Sequence, residues 1–377
     1  MHMNWKKLMG AVAAVVVAIS RVSAAAEQEL VFIGSGRANI EAFRFDLASG
    51  ALTRIGVAAR IAHPSFFAIA PNRRFLYSIT EGSGQDDSSV SAFAIDAAGG
   101  KLTLLNSQPA GGAGPCHVEI DPSGKNALIA NYGSGSVAVF PLSSTGTLNP
   151  MSAFVQDHGS SVNPERQAGP HAHCIVTDPA DRFALVCDLG LDKVLIFKFD
   201  SEAGSLRAND PAFVATKPGA GPRHLAFHPN GRWVYVSDEM GCTVAAYAYD
   251  AAAGALREIQ TESTLLKDFA GPNTDAEVAV HPSGKFVFCS NRGDDSIAVF
   301  GCDPDTGRLT FVERDSTGGQ TPRQFEIDPT GAWLLAGNQL SNTVAVFRID
   351  RATGHLQPVG NVIHSDYPMC IKCLPPD

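Results

Sequence analysis

Ten ionisable residues fall where their side chains could share one site: His117, His171, His173 and His224; Arg223, Arg292 and Arg323; Glu81, Glu239 and Glu277. Imidazoles exchange protons near neutral pH, and a carboxylate flanked by guanidiniums stays ionised. A guanidinium grips carboxylate or phosphate through paired hydrogen bonds. Together these groups suit an anionic, oxygen-rich small molecule. Each also has a plainer use. His117 and His224 could be hydrogen-bonded strand residues, and Glu81 and Glu277 could pair with a neighbouring Arg. His228 and His281 stand where other parts of the chain place Asp121, Asp178 and Asp328, as turn residues do. His171 and His173 would share one face of a strand, but no third or fourth ligand is spaced to join them, so no metal is expected. There is no G-x-S-x-G elbow, Walker loop or dinucleotide fingerprint, and Asp294-Asp295-Ser296 reads as a turn, so no cofactor is expected either.

The elements that must position these residues come from an internal repeat. A small residue and Pro lead a short apolar strand, then Asp/His-Pro-x-Gly, a second strand, a polar pair, and a third strand ending in Phe or Tyr. The second Pro falls at 71, 122, 179, 229, 282 and 329, with spacings of 51, 57, 50, 53 and 47 residues. Several copies close on a turn such as Asp303 to Gly307 or Asp350 to Gly354 before a fourth strand. Four short strands in about 50 residues is the length of a propeller blade. Six copies are complete. A seventh is split, with its later strands in Leu30 to Leu52 and its Pro-led first strand at Tyr367 to Ile371. Pairing the two ends closes the ring without an open sheet edge. The expected fold is therefore an all-β, seven-bladed propeller of four-stranded blades over residues 27–377.

Two registers of the repeat hold the candidates. The first is the start of the first strand: Ser65-Phe66, Cys116-His117, His173-Cys174, Arg223-His224, Ala276-Glu277, Arg323-Gln324 and Met369-Cys370. The second lies ten residues past the second Pro: Glu81, Tyr132, Leu189, Glu239, Arg292 and Gln339. The residue before it is Thr80 or an Asn or Asp in every copy, as turn-capping requires. Residues that serve only the blade should repeat, whereas those serving a ligand on the axis need not.

Composition sets the limits. Lys+Arg 29 against Asp+Glu 38 gives −9, or −12 once a leader carrying Lys6, Lys7 and Arg21 is removed. Such a surface disfavours nucleic acid and anionic membrane. Lys6-Lys7, the apolar run Leu8 to Ile19, and Ala24-Ala25-Ala26 form the layout of a cleavable secretory signal over 1–26, which implies export to a periplasm or beyond and no membrane attachment after cleavage. The eight Cys are scattered singly apart from Cys370 and Cys373. On a strand that pair would face opposite ways, so buried free thiols are the simplest reading.

The phrases Gly221-Pro222-Arg223-His224 with Asp238-Glu239, Gly169-Pro170-His171-Ala172-His173 with Asp188-Leu189-Gly190, and Asn291-Arg292-Gly293 running on to Phe300 resemble the seven-bladed-propeller lactonase family. That family spans bacterial 6-phosphogluconolactonases and fungal carboxymuconate-lactonizing enzymes, and the likeness runs from about Leu30 to the end. It implies a quartet of His, Arg, Glu and Arg, carried here by His171 or His173 (His171 preferred), Arg223, Glu239 and Arg292. Substrate contacts would then come from His117, His173, His224, Glu81, Glu277 and Arg323. An export leader departs from a cytoplasmic phosphorylated substrate.

Lactone hydrolysis needs a base for water, a donor for the developing oxyanion and a clamp for any anionic group. On this reading Glu239 orients or deprotonates water, the arginines hold the substrate, and His171 protonates the leaving alkoxide. Two other readings use the same residues: a cycloisomerase acting on a carboxylated muconate, and an exported propeller that binds a ligand or protein without chemistry.

Overall fold

The computed structural model describes residues 28–360 and 362–376, and the leader expected at 1–26 lies outside the described residues. Seven antiparallel sheets form the ring. Blade 1 joins both chain ends in the order Pro368–Leu374, Gln28–Ser35, Asn39–Asp46, Leu52–Arg60. Blades 2 to 7 follow in sequence, with first strands Phe67–Ile69, Pro115–Ile120, Ala172–Thr177, Pro222–Phe227, Thr274–Val280 and Pro322–Ile327. Each first strand packs against the first strands of both neighbouring blades, so these seven line the axis. The split blade closes as expected, with Ile33 opposite Ile371. Blade 7 ends on two short pieces, Leu356–Pro358 and Ile363–His364, both paired to Thr343–Ile349.

The strand sequences reflect their depth. Second strands such as Phe183–Asp188 and Trp233–Asp238 are buried at every position, because another blade covers each face. Fourth strands such as Lys101–Pro109 are mostly exposed or half-buried, since they form the outer edge of each blade. The core consequently lies between blades: one cluster joins Phe43 and Phe45 of blade 1 to Trp333 and Leu335 of blade 7. Another joins Leu185 and Val186's neighbour Cys187 of blade 4 to Val234 and Val236 of blade 5.

The Asp/Gly turns of the repeat also act between blades. Gly254, at φ +64°, lies against the Phe183 ring of the preceding blade, and Gly307, at φ +71°, against Trp233. Both the left-handed backbone and the ring contact exclude a Cβ there. The histidines standing in the Asp slot do serve turns: His228 Nε2 meets the Gly284 carbonyl of blade 6 at 2.9 Å, and His281 Nε2 meets Gly331 of blade 7 at 2.8 Å. All eight cysteines are free, and Cys370 and Cys373 enter different inter-blade clusters, as opposite strand faces require.

Candidate active site

Six of the seven first strands carry a register shift at the same place. In blade 5, Pro222 pairs with Asp238 and His224 with Ser237, leaving Arg223 as the extra residue. Cys116, His173 and Arg323 hold the equivalent position in blades 3, 4 and 7. A bulge of this kind re-aims one side chain out of the alternating pattern. The second register is brought over these bulges by the main chain: Glu239 N donates to Gly221 O at 2.7 Å, and Tyr132 N to Gly114 O at 2.8 Å. The turn-capping Asx residues sit just beneath, with Asn291 Nδ2 donating to Ser296 Oγ and Asp238 accepting from Thr243.

Glu239 is the centre of a knot of guanidiniums. Its Oε2 lies 3.0 Å from Arg223 Nε and 2.8 Å from Arg292 Nη2, while its Oε1 accepts from Arg166 Nη2 at 2.7 Å. Burial alone would raise the Glu239 pKa, but Arg292, Arg223 and Arg166 outweigh it and hold the carboxyl at about 2. Burial, Arg292 and Arg323 draw Arg223 down to about 10, leaving it charged at neutral pH. Arg223 Nε is spent on the Glu239 carboxylate, but Nη1 of Arg223 and Nε of Arg292 are buried without a hydrogen-bond partner in the protein. Arg323 forms no ion pair among the described residues. The knot therefore holds buried donors and an excess of positive charge.

The structure also separates His171 from His173. Blade 4 is two residues longer than blades 3, 5 and 7 between its two prolines, so His173 takes the bulge and His171 stands at the rim, where blade 5 has Gly221. His173 is buried, and burial with Arg223 pushes its pKa well down. His171 is half-buried and stacked on Tyr132 at 4.4 Å between ring centroids. Its Nδ1 lies 2.9 Å from the Tyr132 carbonyl, which can only accept; Nδ1 is therefore the donor, and in the neutral ring Nε2 is the atom with the lone pair. Tyr132 links this imidazole to the knot, because its hydroxyl accepts from Arg166 Nη2 at 3.2 Å.

The remaining candidates lie deeper. His224 Nδ1 is 2.9 Å from a Glu277 oxygen, so Glu277 pairs with an imidazole and not with an arginine. That contact outweighs burial and holds Glu277 at about 2. His117 packs between Phe66 and His224. Arg223, Arg323, Phe66 and His224 border a gap of only about 10 Å³, room for one water at most. His117, His224 and Glu277 thus form a floor, and below it a separate cavity of about 490 Å³ opens past Glu119, Glu326 and Lys372. Glu81 is half-buried at the rim, within electrostatic reach of Cys116. The candidates around the axis therefore lie in two layers, because bulge residues and their successors lie at different depths.

Sequence reasoning missed Arg166 and gave Tyr132 no role. Arg166 lies in the connection between blades 3 and 4, outside both registers. The one signal was the 57-residue spacing from Pro122 to Pro179, the longest of the five. Among the described residues no cluster of His, Cys, Asp and Glu could hold a metal ion.

A family model described as lactonase, seven-bladed β-propeller, matches residues 30–373. The chain belongs to that family. It is 39% identical over 283 residues to the 6-phosphogluconolactonase of Bacillus subtilis strain 168, covering 75% of this chain and 79% of that one. It is 35% identical over 283 residues to the 6-phosphogluconolactonase of Formosa agariphila, covering 74% and 79%. Among solved structures, the periplasmic gluconolactonase PpgL of Pseudomonas aeruginosa superposes with a TM-score of 0.86 at 30% identity, covering 93% of this chain and all (100%) of that one. The protein is thus an enzyme of the lactonase class. Among the described residues no helix is long and apolar enough to cross a membrane.

Proposed function

We propose that this lactonase opens a six-membered sugar lactone of the 6-phosphogluconolactone type by water attack, with His171, Arg223, Glu239 and Arg292 as its working residues. The supporting observation is the set of buried arginine donors lacking a protein partner, joined through Arg166 and Tyr132 to an imidazole whose Nε2 is free. The lactone carbonyl oxygen accepts from Arg223 and Arg292. Water attacks the carbonyl carbon while His171 Nε2 takes its proton, and the carbonyl π electrons move onto oxygen, where the guanidiniums stabilise them. When the tetrahedral intermediate collapses, the bond to the ring oxygen breaks and His171 returns the proton to that oxygen. The product is an open-chain hydroxy acid.

Glu239 has a different part in this scheme from the one its sequence implied. A carboxylate held at about 2 is a weak base, so Glu239 orients the arginines and the proton moves through His171. The leader expected at 1–26 and the periplasmic relative together support action outside the cytoplasm.

The test is an assay of the protein lacking its leader, in chelator, on 6-phosphogluconolactone and on gluconolactone, with spontaneous opening subtracted. The wild type should accelerate at least one, and His171→Ala should lower kcat about 100-fold or more. No acceleration on either lactone refutes the hydrolase reading and moves attention to muconate-type substrates. Full activity in His171→Ala would refute the proton route.

A further inference from the structure

The arginine that the repeat does not account for occupies a distinct position. Arg166 is carried by the connection running from Asp157 to His171, and that connection is fastened at several points. Ser161 Oγ donates to Asp192 Oδ2 at 2.6 Å, and buried Gln167 donates through Nε2 to Leu189 O at 2.8 Å. Asn163 Oδ1 accepts from the main-chain N–H of Glu165 and Arg166 at 3.0 and 3.1 Å, capping the turn that presents the side chain. Arg166 is therefore held over the knot by an anchored segment and does not reach it by chance from solvent.

The three arginines on Glu239 form a gradient of depth. Side-chain exposure is 3% for Arg223, 13% for Arg292 and 39% for Arg166. The two inner arginines share Oε2, and Arg166 takes Oε1 on the outer side. Arg166 spends only Nη2 on protein, on Glu239 and on the Tyr132 hydroxyl, so Nε and Nη1 retain their donors. One carboxylate faces three guanidiniums here, leaving two positive charges, and the carbonyl oxygen of a neutral lactone offers one developing negative charge in return. A second anionic group on the substrate, beyond the carbonyl, would balance the outer charge.

We propose that Arg166 is the specificity-determining residue of the site, binding a phosphate or carboxylate on the substrate carbon farthest from the lactone carbonyl through its free Nε and Nη1 donors. This rests on the lactonase reading above. The substrate class is then an aldonolactone with a second, anionic oxygen group, and the neutral sugar lactone is the poorer substrate. Phosphate and carboxylate share this chemistry, since both accept a guanidinium fork.

The experiment compares wild type, Arg166→Gln and Arg166→Lys on three lactones: 6-phosphogluconolactone, a glucarolactone carrying a carboxylate at C6, and gluconolactone. The wild type should favour at least one anionic lactone over the neutral one, and which one identifies the group recognised. Arg166→Gln should raise KM for that substrate about tenfold more than for gluconolactone, with the larger change in KM and not in kcat. Arg166→Lys should recover part of the loss. An equal loss on all three lactones would overturn the proposal, because Arg166 would then act only by holding Glu239. A wild type that prefers gluconolactone would overturn it as well. If wild type opens none of the three, the lactonase reading fails by itself, and titration calorimetry with inorganic phosphate decides the anion site. Binding lost in Arg166→Gln supports the site; equal binding, or none in wild type, overturns it. Thermal melts of both variants confirm that they fold.

Discussion

Two buried carboxyl groups in this molecule sit on opposite sides of their ordinary value, and the difference comes from their neighbours. Glu239 is held near 2 by guanidiniums, so its contribution to stability is full above the unfolded value of 4.5 and is lost as pH falls towards 2. Glu239→Gln would leave Arg223 and Arg292 buried without their counter-charge, at a cost of about 3–5 kcal/mol in urea unfolding. Glu202→Gln, which breaks the exposed pair with Lys125, should leave the urea midpoint almost unchanged. Equal effects of the two substitutions would show that the carboxylate does not hold the knot. Glu29 behaves in the other sense. Burial first, then Asp328, raises it from 4.5 to about 7, against a smaller lowering by the Cys373 thiol. Its proton is favoured in the folded state, so its own contribution to stability is full below pH 4.5 and is lost as pH rises through 7. Glu29→Gln should remove that decline and gain about 2–3 kcal/mol at pH 8, measured by urea unfolding across pH.

At the scale of elements, the bulges and the inserted connection do most to build the site. Arg223, His173 and Arg323 reach one level because each is the extra residue of its first strand; their place at the strand starts was legible from the repeat, the bulge that sets their level was not. The connection from Asp157 to His171 was not legible, because it matches no other copy. It is fastened at its ends, by the buried Asp188 carboxyl at one and by a main-chain hydrogen bond of Asp157 at the other. Asp188 Oδ1 accepts from His171 N at 2.8 Å, and Asp157 N donates to Gly135 O at 3.0 Å. Burial and the facing Asp188 raise Asp157 to about 8, so the pair holds a proton at neutral pH. That proton's contribution to stability is full below the unfolded value of 3.8 and is lost as pH rises through 8, where two carboxylates face each other. Hydrogen exchange over 157–171 should therefore accelerate from about pH 5 to 8 beyond the intrinsic pH effect and level off above that, and Asp157→Asn should abolish that excess. The same excess in the variant would remove the carboxyl pair as the cause. A second element-scale constraint is Gly190, where a Cβ would run into the Gly169 carbonyl and stand 2.9 Å from His171 N.

For the molecule as a whole, the ring closes through one strand contributed by the C-terminus. Pro368–Leu374 bonds along Gln28–Ser35 and packs against the first strands of blades 2 and 7. Truncation after residue 366 would expose the edge of Gln28–Ser35 and open the axis to solvent. Such a chain should lose the wild-type cooperative melt and aggregate, as light scattering would detect. A soluble, cooperatively melting truncation would mean that closure is dispensable. With eight free thiols, reductant should leave the melting temperature of the intact protein unchanged.

The sequence by itself determined the ring. Each blade fills the same wedge between two neighbours, so the same Pro, Asx and Gly positions recur, and even the split blade could be completed from its missing phrase. It also determined which two registers of each blade approach the axis. Tertiary structure alone decided depth, partners and roles. Arg166 and Glu239 are 73 residues apart, one in the connection between blades 3 and 4 and the other in blade 5, and no local pattern links them. The assignment of His171 to the rim and His173 to the interior turned on two extra residues in one blade. Blade interactions are short-range and repeated, so one chain carries many copies of the signal. The site is assembled once, from side chains of several blades whose charges take their values only in each other's presence.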